Sequence, residues 1–520
     1  MEEARLNLKT KLFKNTIANY LIRFWTLGVY FFLFPFIVHY LGMAATGIWL
    51  LINSLTGYFG ILNLGIGPSL TKYVAQYKTR RDEKKLSQCI STTFFIYLAM
   101  GLLAAIGLIM VGLFLITSFN IPPKLLKETK IITYIAATTM LFGFPMATFK
   151  GVLQGLQRYD ICALVDFVAS IPKIVLILFL LPKGYGVVAL VLINLGSSLL
   201  RWLLNAYYTK KFLPSLHISF GLFKKEMIRI LFGLAVSIFI INICMRIIYH
   251  TDRLIIGGFL SVGLIVFYEA AYRIYQFIAM IPQLLASAVI PAASELDTIN
   301  DARFLKSLFL KGTKYMMAFF LAIVVPALVL SKQILIYWMG KEFGSYYLLV
   351  VIFILHLFFN YNHLFAYYLL VGMNKIRFPL WYYIGSALLN LALSIILVQK
   401  IGLIGVVLGT AVPYAILEPV FVWYIFKTFD VKLSTYLKEV LGKVYPQAGF
   451  IVLLLYLLTI YYSPHSLIEV GIFAVLSVIA YLLLFYVSGV EEREKKSLLA
   501  TAAAVLGEIR YSLVNNRIFR

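Results

Sequence analysis

Charged residues are scarce in this sequence. Only 13% of its 520 residues are Asp, Glu, Lys or Arg, whereas 62% are hydrophobic, and the mean hydropathy is +0.91. An ordinary soluble domain has roughly a quarter of its residues charged. The composition therefore excludes an ordinary soluble protein and predicts a polytopic membrane protein.

Cysteine is also rare, and its placement excludes two kinds of site. The three cysteines, Cys89, Cys162 and Cys244, are an odd and widely scattered set. Such a set predicts neither a disulfide framework nor a metal centre. We expect no metal site and no cofactor, and we assign no catalytic residue.

Long apolar segments account for most of the chain. A stretch of about 20 apolar residues is needed to cross the hydrocarbon core as a helix, and the alternating pattern of a barrel is missing. The sequence therefore predicts an all-α protein with about fourteen membrane spans. These lie at 16–39, 46–71, 89–117, 130–150, 161–182, 185–208, 229–258, 262–290, 312–333, 346–370, 378–398, 402–426, 446–463 and 467–488.

The positive charge is distributed unevenly between the two sides of the predicted spans. The termini and the linkers after even-numbered spans hold 33 Lys and Arg residues, Lys150 among them, whereas the other linkers hold 7. An excess of cations marks the cytoplasmic side. We therefore predict a multi-pass protein of the cell (inner or plasma) membrane with both termini cytoplasmic. The net charge of +24 is explained by this bias and by anionic lipid, so we do not expect a nucleic-acid partner.

The chain contains a weak internal repeat. At an offset of about 217 residues, Gly155 corresponds to Gly372, and Gln157 corresponds to Asn374. This offset spans six helices, so the repeat runs in the same direction in both halves. We predict two parallel-repeat six-helix lobes plus two extra C-terminal helices. The predicted domains are 1–225 with spans 1–6, 226–430 with spans 7–12, and 431–520 with spans 13–14 and a cytoplasmic tail.

Several segments resemble a known transporter family. The patch Asn63-Leu64-Gly65-Ile66-Gly67, within residues 41–77, resembles the end of the second helix of polysaccharide-exporter flippases. Residues 251–277 resemble that family's junction of the seventh and eighth helices, and 373–412 resemble its eleventh and twelfth helices. The chain is identified by this resemblance as a member of the multidrug, oligosaccharidyl-lipid and polysaccharide exporter superfamily.

The resemblance implies a flippase that moves a polyprenyl-pyrophosphate-linked oligosaccharide, such as an O-antigen unit, from the cytoplasmic to the outer leaflet for surface polysaccharide assembly. The parallel duplication suggests a cavity between the two lobes, with alternating access by rocking of one lobe against the other. The chain has no phosphate-binding G-x-x-x-x-G-K-[ST] motif, so transport would depend on a coupling cation (sodium or proton), on substrate mass action or on a partner. The expected partners are the lipid-linked oligosaccharide, membrane lipids and polysaccharide assembly proteins.

Charged residues inside predicted spans are the candidate site residues, because a charge at bilayer depth is costly and usually marks a functional pathway. Fixed cations in a wet cavity would stabilise a crossing diphosphate, and guanidinium matches phosphate geometry. Arg246 and Arg253 are seven residues apart and share one face of span 7, with His250 between them. The candidates for substrate binding are Arg23, Arg246, Arg253 and Arg273. Arg23 lies near enough to the interface to extend into it instead.

Other internal charges are candidates for gating or ion pairing: Asp252, Glu269, Asp166 and Lys173. Glu269 and Arg273 are four residues apart, so an ion pair within the helix is an alternative to ligand contact.

Glu418 is the candidate for cation coupling. His356 and His363 share a helix face, and both a proton relay and neutral side chains bonded to carbonyl groups are consistent with this spacing.

Three function classes remain from sequence. The first is the lipid-linked oligosaccharide flippase, a transporter and not an enzyme. The second is a cation-coupled multidrug antiporter of the same fold, which needs an acidic cavity, whereas here arginines outnumber acids in the spans. The third is a polymerase or ligase of lipid-linked sugars, which would need a sizeable outer loop that this sequence lacks.

Overall fold

The computed structural model describes residues 2–63, 65–232, 236–287, 289–298 and 301–496. These residues form helices and connecting loops, and none of them is in a strand. The prediction of an all-α protein is therefore confirmed for the described part of the chain.

The first half of the chain contains seven α-helices joined by short loops and 3-10 turns. They are α1 (Glu2–Phe59), α2 (Ile66–Thr79), α3 (Glu83–Met110), α4 (Leu126–Gly155), α5 (Tyr159–Leu180), α6 (Gly186–Phe212) and α7 (Lys225–Phe232). The predicted second span, 46–71, is not one helix, because α1 ends at Phe59 and α2 begins at Ile66.

Ten further α-helices follow. They are α8 (Val236–Phe259), α9 (Leu264–Ser287), α10 (Ile290–Thr298), α11 (Ala302–Val329), α12 (Ser331–Met339), α13 (Tyr347–Gly372), α14 (Arg377–Phe429), α15 (Leu433–Tyr436), α16 (Gly442–Tyr461) and α17 (Leu467–Ser488). The helices α8 and α9 hold the charged passage between Arg246 and Arg273.

Ten segments of the described chain are long and apolar enough to cross a membrane. Two of them include a sharp break at a glycine with positive φ: Gly42 (φ 74°) inside α1 and Gly402 (φ 62°) inside α14. Glycine is favoured there because a Cβ disfavours this backbone region. The helix α8, which contains Arg246, Asp252 and Arg253, is not one of these ten segments. The structure supports a multi-pass protein, and the count of fourteen spans is not confirmed.

Large apolar side chains cover the outer faces of the long helices. Phe114, Leu203 and Val487 have 64%, 66% and 70% of their surface exposed. Contiguous apolar surface of this kind is not stable against water in a monomeric soluble protein, so these faces are suited to lipid.

The predicted repeat has counterparts in local backbone structure. The helices α4 and α13 end at Gly155 and Gly372, and each is followed two residues later by a residue with positive φ, at 55° and 56° respectively. Asp82 caps α3 by accepting a hydrogen bond from the backbone N–H of Lys85 at 2.9 Å. Asp301 caps α11 through Phe304 in the same way, also at 2.9 Å. These turns and caps recur at offsets of 217 and 219 residues, which supports a parallel duplication.

The chain divides into two compact units. Unit 1 comprises Met1–Arg273 and Ile376–Pro413, and unit 2 comprises Ile274–Lys375 and Tyr414–Arg520. The division at residues 225 and 430 stays a prediction. Both cavities described below are lined by residues of unit 1.

Candidate functional site

A cavity of about 490 Å³ lies inside unit 1, beside the middle of α8. Arg246 faces it from a position ten residues after the start of the helix, roughly 15 Å along its axis. The lining residues come from the segment between α1 and α2, from α2 itself, and from α8 and α9. They are Gly60, Ile61, Asn63, Gly65, Pro68, Phe239, Asn242, Ile243, Met245, Arg246, Tyr249, His250 and Tyr272.

Arg246 is held in place by the backbone of α1. Its Nη1 donates to the carbonyl oxygen of Gly57 at 2.6 Å. Among the described residues, Arg246 makes no other hydrogen bond and no ion pair. A guanidinium group has five N–H donors. The remaining donors of Arg246 can therefore bind an anion in the cavity.

Two glycines of the first helical segment make room for this arrangement. A Cβ on Gly60 would lie 3.2 Å from Nη1 of Arg246, and a Cβ on Gly57 would lie 3.0 Å from Nδ1 of His250. Both distances are shorter than ordinary van der Waals contact. The close approach of α8 to this segment therefore requires that Gly57 and Gly60 have no side chain. The position of Arg246 depends on this close approach.

The patch that carries the family resemblance forms another part of the same wall. Asn63 and Gly65 line the cavity, and Leu64 lies outside the described residues. The side-chain oxygen of Asn63 accepts a hydrogen bond from the hydroxyl of Tyr97 at 2.6 Å, and Gly65 has φ 69°. The sequence alone did not connect this patch with Arg246, because they are far apart along the chain.

Arg253 and Arg273 lie away from the cavity, around one buried carboxylate. Arg253 donates from Nε and Nη2 to Oε2 of Glu269, at 2.9 and 2.7 Å. Arg273 Nε lies 3.0 Å from Oε1 of Glu269, and its Nη1 donates to the carbonyl oxygen of Tyr30 at 3.0 Å. The predicted pair of Glu269 and Arg273 is present, and Arg253 joins it. The cluster holds two cations and one carboxylate.

Asp252 makes its hydrogen bonds with residues of other helices of unit 1. Its Oδ2 accepts hydrogen bonds from the hydroxyl of Tyr268 at 2.8 Å and from the hydroxyl of Thr410 at 2.9 Å. The carboxylate is fully buried, and no ion pair involves it in the described part of the chain. These contacts join α8, α9 and α14, and a gating role for Asp252 stays a prediction.

Asp166 and Lys173 share a second cavity, of about 170 Å³, but they bind different partners. Asp166 pairs with Lys150 of α4 at 2.8 Å, and Lys173 Nζ lies 2.5 Å from the hydroxyl of Tyr30. Arg201 lines this cavity as well. From sequence, Lys150 is counted among the cations that mark the cytoplasmic side. Its pairing with Asp166 could not be predicted from sequence, because helical spacing relates residues of one helix and these two residues lie on different helices.

In unit 2, Glu418 lies beside His363, one of the two histidines that share a helix face. Its Oε2 is 2.6 Å from Nδ1 of His363, and both side chains are buried. The ring of His356 packs on Tyr414 with a centroid distance of 4.3 Å. A role of Glu418 in cation coupling stays a prediction.

Arg23 lies in α1, but its side chain is outside the part of the chain that the structure describes. Within the described residues, no group of three or more His, Cys, Asp or Glu side chains could hold a metal ion.

Comparison with known proteins identifies a matching family and a related protein. The family described as polysaccharide biosynthesis protein matches residues 12–297, which is more than half of the chain. A putative O-antigen transporter of Shigella flexneri is 21% identical over 389 residues, covering 72% of this chain and 88% of that protein.

Two solved structures share the fold. The lipid II flippase MurJ in an inward closed conformation has a TM-score of 0.70 at 16% identity, covering 91% of this chain and 98% of that chain. A multidrug resistance MATE family transporter in an inward-facing conformation has a TM-score of 0.67 at 16% identity, covering 78% and 94%. At these identities the likeness shows the fold and not the substrate.

Proposed function

The chain belongs to the polysaccharide biosynthesis protein family, and from that membership we propose that it is a flippase for a lipid-linked oligosaccharide. It moves a polyprenyl-pyrophosphate-linked sugar from the cytoplasmic to the outer leaflet of the cell membrane. The relative named as an O-antigen transporter supports this assignment. The protein is a transporter and not an enzyme.

The observation that carries the proposal is Arg246 in the 490 Å³ cavity. A diphosphate inside a membrane protein needs hydrogen-bond donors and positive charge to replace the water that it loses. Arg246 supplies both, since one of its five donors is used by Gly57. A guanidinium can bind two phosphate oxygens at once through its planar fork.

The rest of the lining suits the sugar part of the substrate. The cavity volume lies within the usual range of about 300–1,000 Å³ for small-ligand sites. Asn63, Asn242, Tyr249 and Tyr272 are among its lining residues, so amide groups and phenol rings border the cavity. Sugars carry both hydroxyls and apolar ring faces, so this mixture of side chains is suitable for an oligosaccharide.

The charge of the cavity disfavours a multidrug antiporter. A site for organic cations needs a carboxylate, and among the described residues none that lines this cavity is Asp or Glu. Arg246 would repel such a substrate.

Transport proceeds by alternating access between the two predicted lobes, with both termini in the cytoplasm. Glu418 beside His363 is the proposed site of coupling to a proton or sodium gradient. Polysaccharide assembly proteins are the proposed partners that receive the substrate.

The test is rescue of surface polysaccharide export in a strain deleted for its own flippase. Wild type should restore export, and Arg246→Ala should lower it at least tenfold, since a charge-assisted hydrogen bond contributes about 1.5–3 kcal/mol. Arg246→Lys keeps the charge without the fork and should give an intermediate rate. Lys183→Gln removes an exposed cation and serves as the matched control.

Export is normalised to the amount of each variant in the membrane. Full activity of Arg246→Ala would show that Arg246 does not bind the substrate. A purified wild-type protein that fails to move a labelled lipid-linked sugar across vesicles, with sodium and proton gradients both applied, would refute the flippase assignment itself.

A further inference from the structure

The second cavity of unit 1 has a composition that the flippase proposal does not explain. It lies among α1, α4, α5 and α6, and its volume is about 170 Å³. Its charged and phenolic lining groups are Tyr30, Lys150, Asp166, Lys173 and Arg201. None of these residues lines the cavity of Arg246.

The charges of this second cavity do not balance. Lys150 and Asp166 form one ion pair at 2.8 Å. Lys173 has the hydroxyl of Tyr30 as its hydrogen-bond partner, at 2.5 Å, and Arg201 Nη2 donates to the hydroxyl of Ser198 at 2.9 Å. Among the described residues, neither Lys173 nor Arg201 has a carboxylate within ion-pair distance. Two positive charges are therefore left without a counter-charge.

Such an excess is unfavourable between apolar helices unless an anion accompanies it. Removing a cation from water costs several kcal/mol when no opposite charge offsets the loss. Arg201 is half-buried in the middle of α6, and Lys173 lies fourteen residues after the start of α5, about 21 Å along that helix. Neither side chain is at a helix end, where bulk water would surround it.

The cavity can be reached from one end. Lys150 is five residues before the end of α4, and its side chain is 40% exposed, while that of Asp166 is 26% exposed. Trp25 stands at the rim and donates from Nε1 to the hydroxyl of Ser170 at 3.0 Å. A headgroup could enter beside Lys150 and reach Lys173 and Arg201.

We propose that this cavity is a second anion site, which binds one phosphate-bearing group through Lys173 and Arg201, with Lys150 at its entrance. The size of the cavity suits a phosphate or diphosphate without an attached sugar. The ligand is either the headgroup of a lipid, such as a phosphomonoester lipid or a polyprenyl phosphate, or a free inorganic anion. This proposal does not depend on the flippase assignment.

The experiment uses the full chain in nanodiscs of neutral phosphatidylcholine. Two probes are compared: phosphatidic acid added to the bilayer, and inorganic pyrophosphate added to the buffer. Retention of each probe is measured by native mass spectrometry, and the melting temperature is measured with and without the probe, because a ligand that binds the folded state raises it. The variants are the double variant Lys173→Gln with Arg201→Gln, Arg246→Gln alone, the triple variant that combines all three substitutions, and the control Lys183→Gln. The triple variant is compared with Arg246→Gln, so that binding in the first cavity does not contribute.

We expect wild type, Arg246→Gln and Lys183→Gln to bind at least one of the probes. The triple variant should bind it at least tenfold more weakly than Arg246→Gln, because neither cavity then keeps its cations. Without probe, the double variant should melt no lower than wild type, since it lacks two uncompensated charges and keeps the Lys150–Asp166 pair. Binding of phosphatidic acid would identify a lipid headgroup as the ligand, and binding of pyrophosphate alone would identify a soluble anion.

The proposal is overturned if wild type binds neither probe, or if the triple variant binds as Arg246→Gln does. A double variant that melts lower than wild type without probe and binds normally would show that the two cations stabilise the fold instead. Arg246→Gln separates the two proposals, because it should lose export while it keeps binding in this assay.

Discussion

Replacing Glu269 with glutamine tests the buried charge cluster of α8 and α9. In the wild type, one carboxylate accepts two hydrogen bonds from Arg253, at 2.9 and 2.7 Å, and lies 3.0 Å from Arg273. The side chains of the three residues are 7–14% exposed. Glutamine has nearly the same shape, so the change removes the negative charge and leaves two buried cations side by side.

The expected cost follows from that geometry. Breaking a buried ion pair by removing one partner costs about 3–5 kcal/mol, because the other charge stays buried without compensation. Here the lost carboxylate serves two cations, so we expect a value at the upper end. Arg273→Gln should cost less, about 1–2 kcal/mol, since it leaves one cation for one carboxylate and removes the bond to Tyr30.

The assay is thermal unfolding of purified variants in detergent, with Glu83→Gln as the control. Glu83 is exposed in the first turn of α3, and its replacement should cost under about 1 kcal/mol. The double variant Glu269→Gln with Arg273→Gln should be more stable than Glu269→Gln alone, because one of the two uncompensated cations is gone. If Glu269→Gln melts no lower than Glu83→Gln, the cluster does not stabilise the fold as we argue.

Two further predictions concern positions outside this cluster. Gly60→Ala should lower export several-fold with little change in protein level, because the added methyl group lies 3.2 Å from Nη1 of Arg246, whereas Gly28→Ala has open space around it and should be neutral. Equal export by the two variants would show that the position of Arg246 tolerates the change. Burial is the largest single influence and tends to raise the pKa of Glu494. The hydrogen bond from Lys314 at 2.6 Å, the positive charge of Lys314 and further hydrogen bonds from Glu491 and Tyr315 together outweigh it and hold the pKa below its usual value. The stabilisation by Glu494 should therefore be present at neutral pH and lost as the pH falls through that lowered pKa. The melting temperatures of wild type and Glu494→Gln should then converge in acid. A difference in melting temperature that widens in acid would contradict this.

The helical fold and the repeat were open to prediction because both depend on local sequence. A run of apolar residues is helical in lipid whatever it packs against, since its backbone groups must bond to one another. The turns at Gly155 and Gly372 recur because the same short pattern requires the same backbone at both places. Span ends were less predictable, as the break between Phe59 and Ile66 illustrates.

The partners of the internal charges were decided by the tertiary structure alone. Helical spacing placed Arg246 and Arg253 on one face of α8 and could not show that their surroundings differ. In the structure, Arg253 is bound to Glu269, whereas Arg246 borders a cavity beside Gly57. Sequence spacing reports which residues share a face of one helix, but ion pairs and cavities depend on which other helices pack against that face.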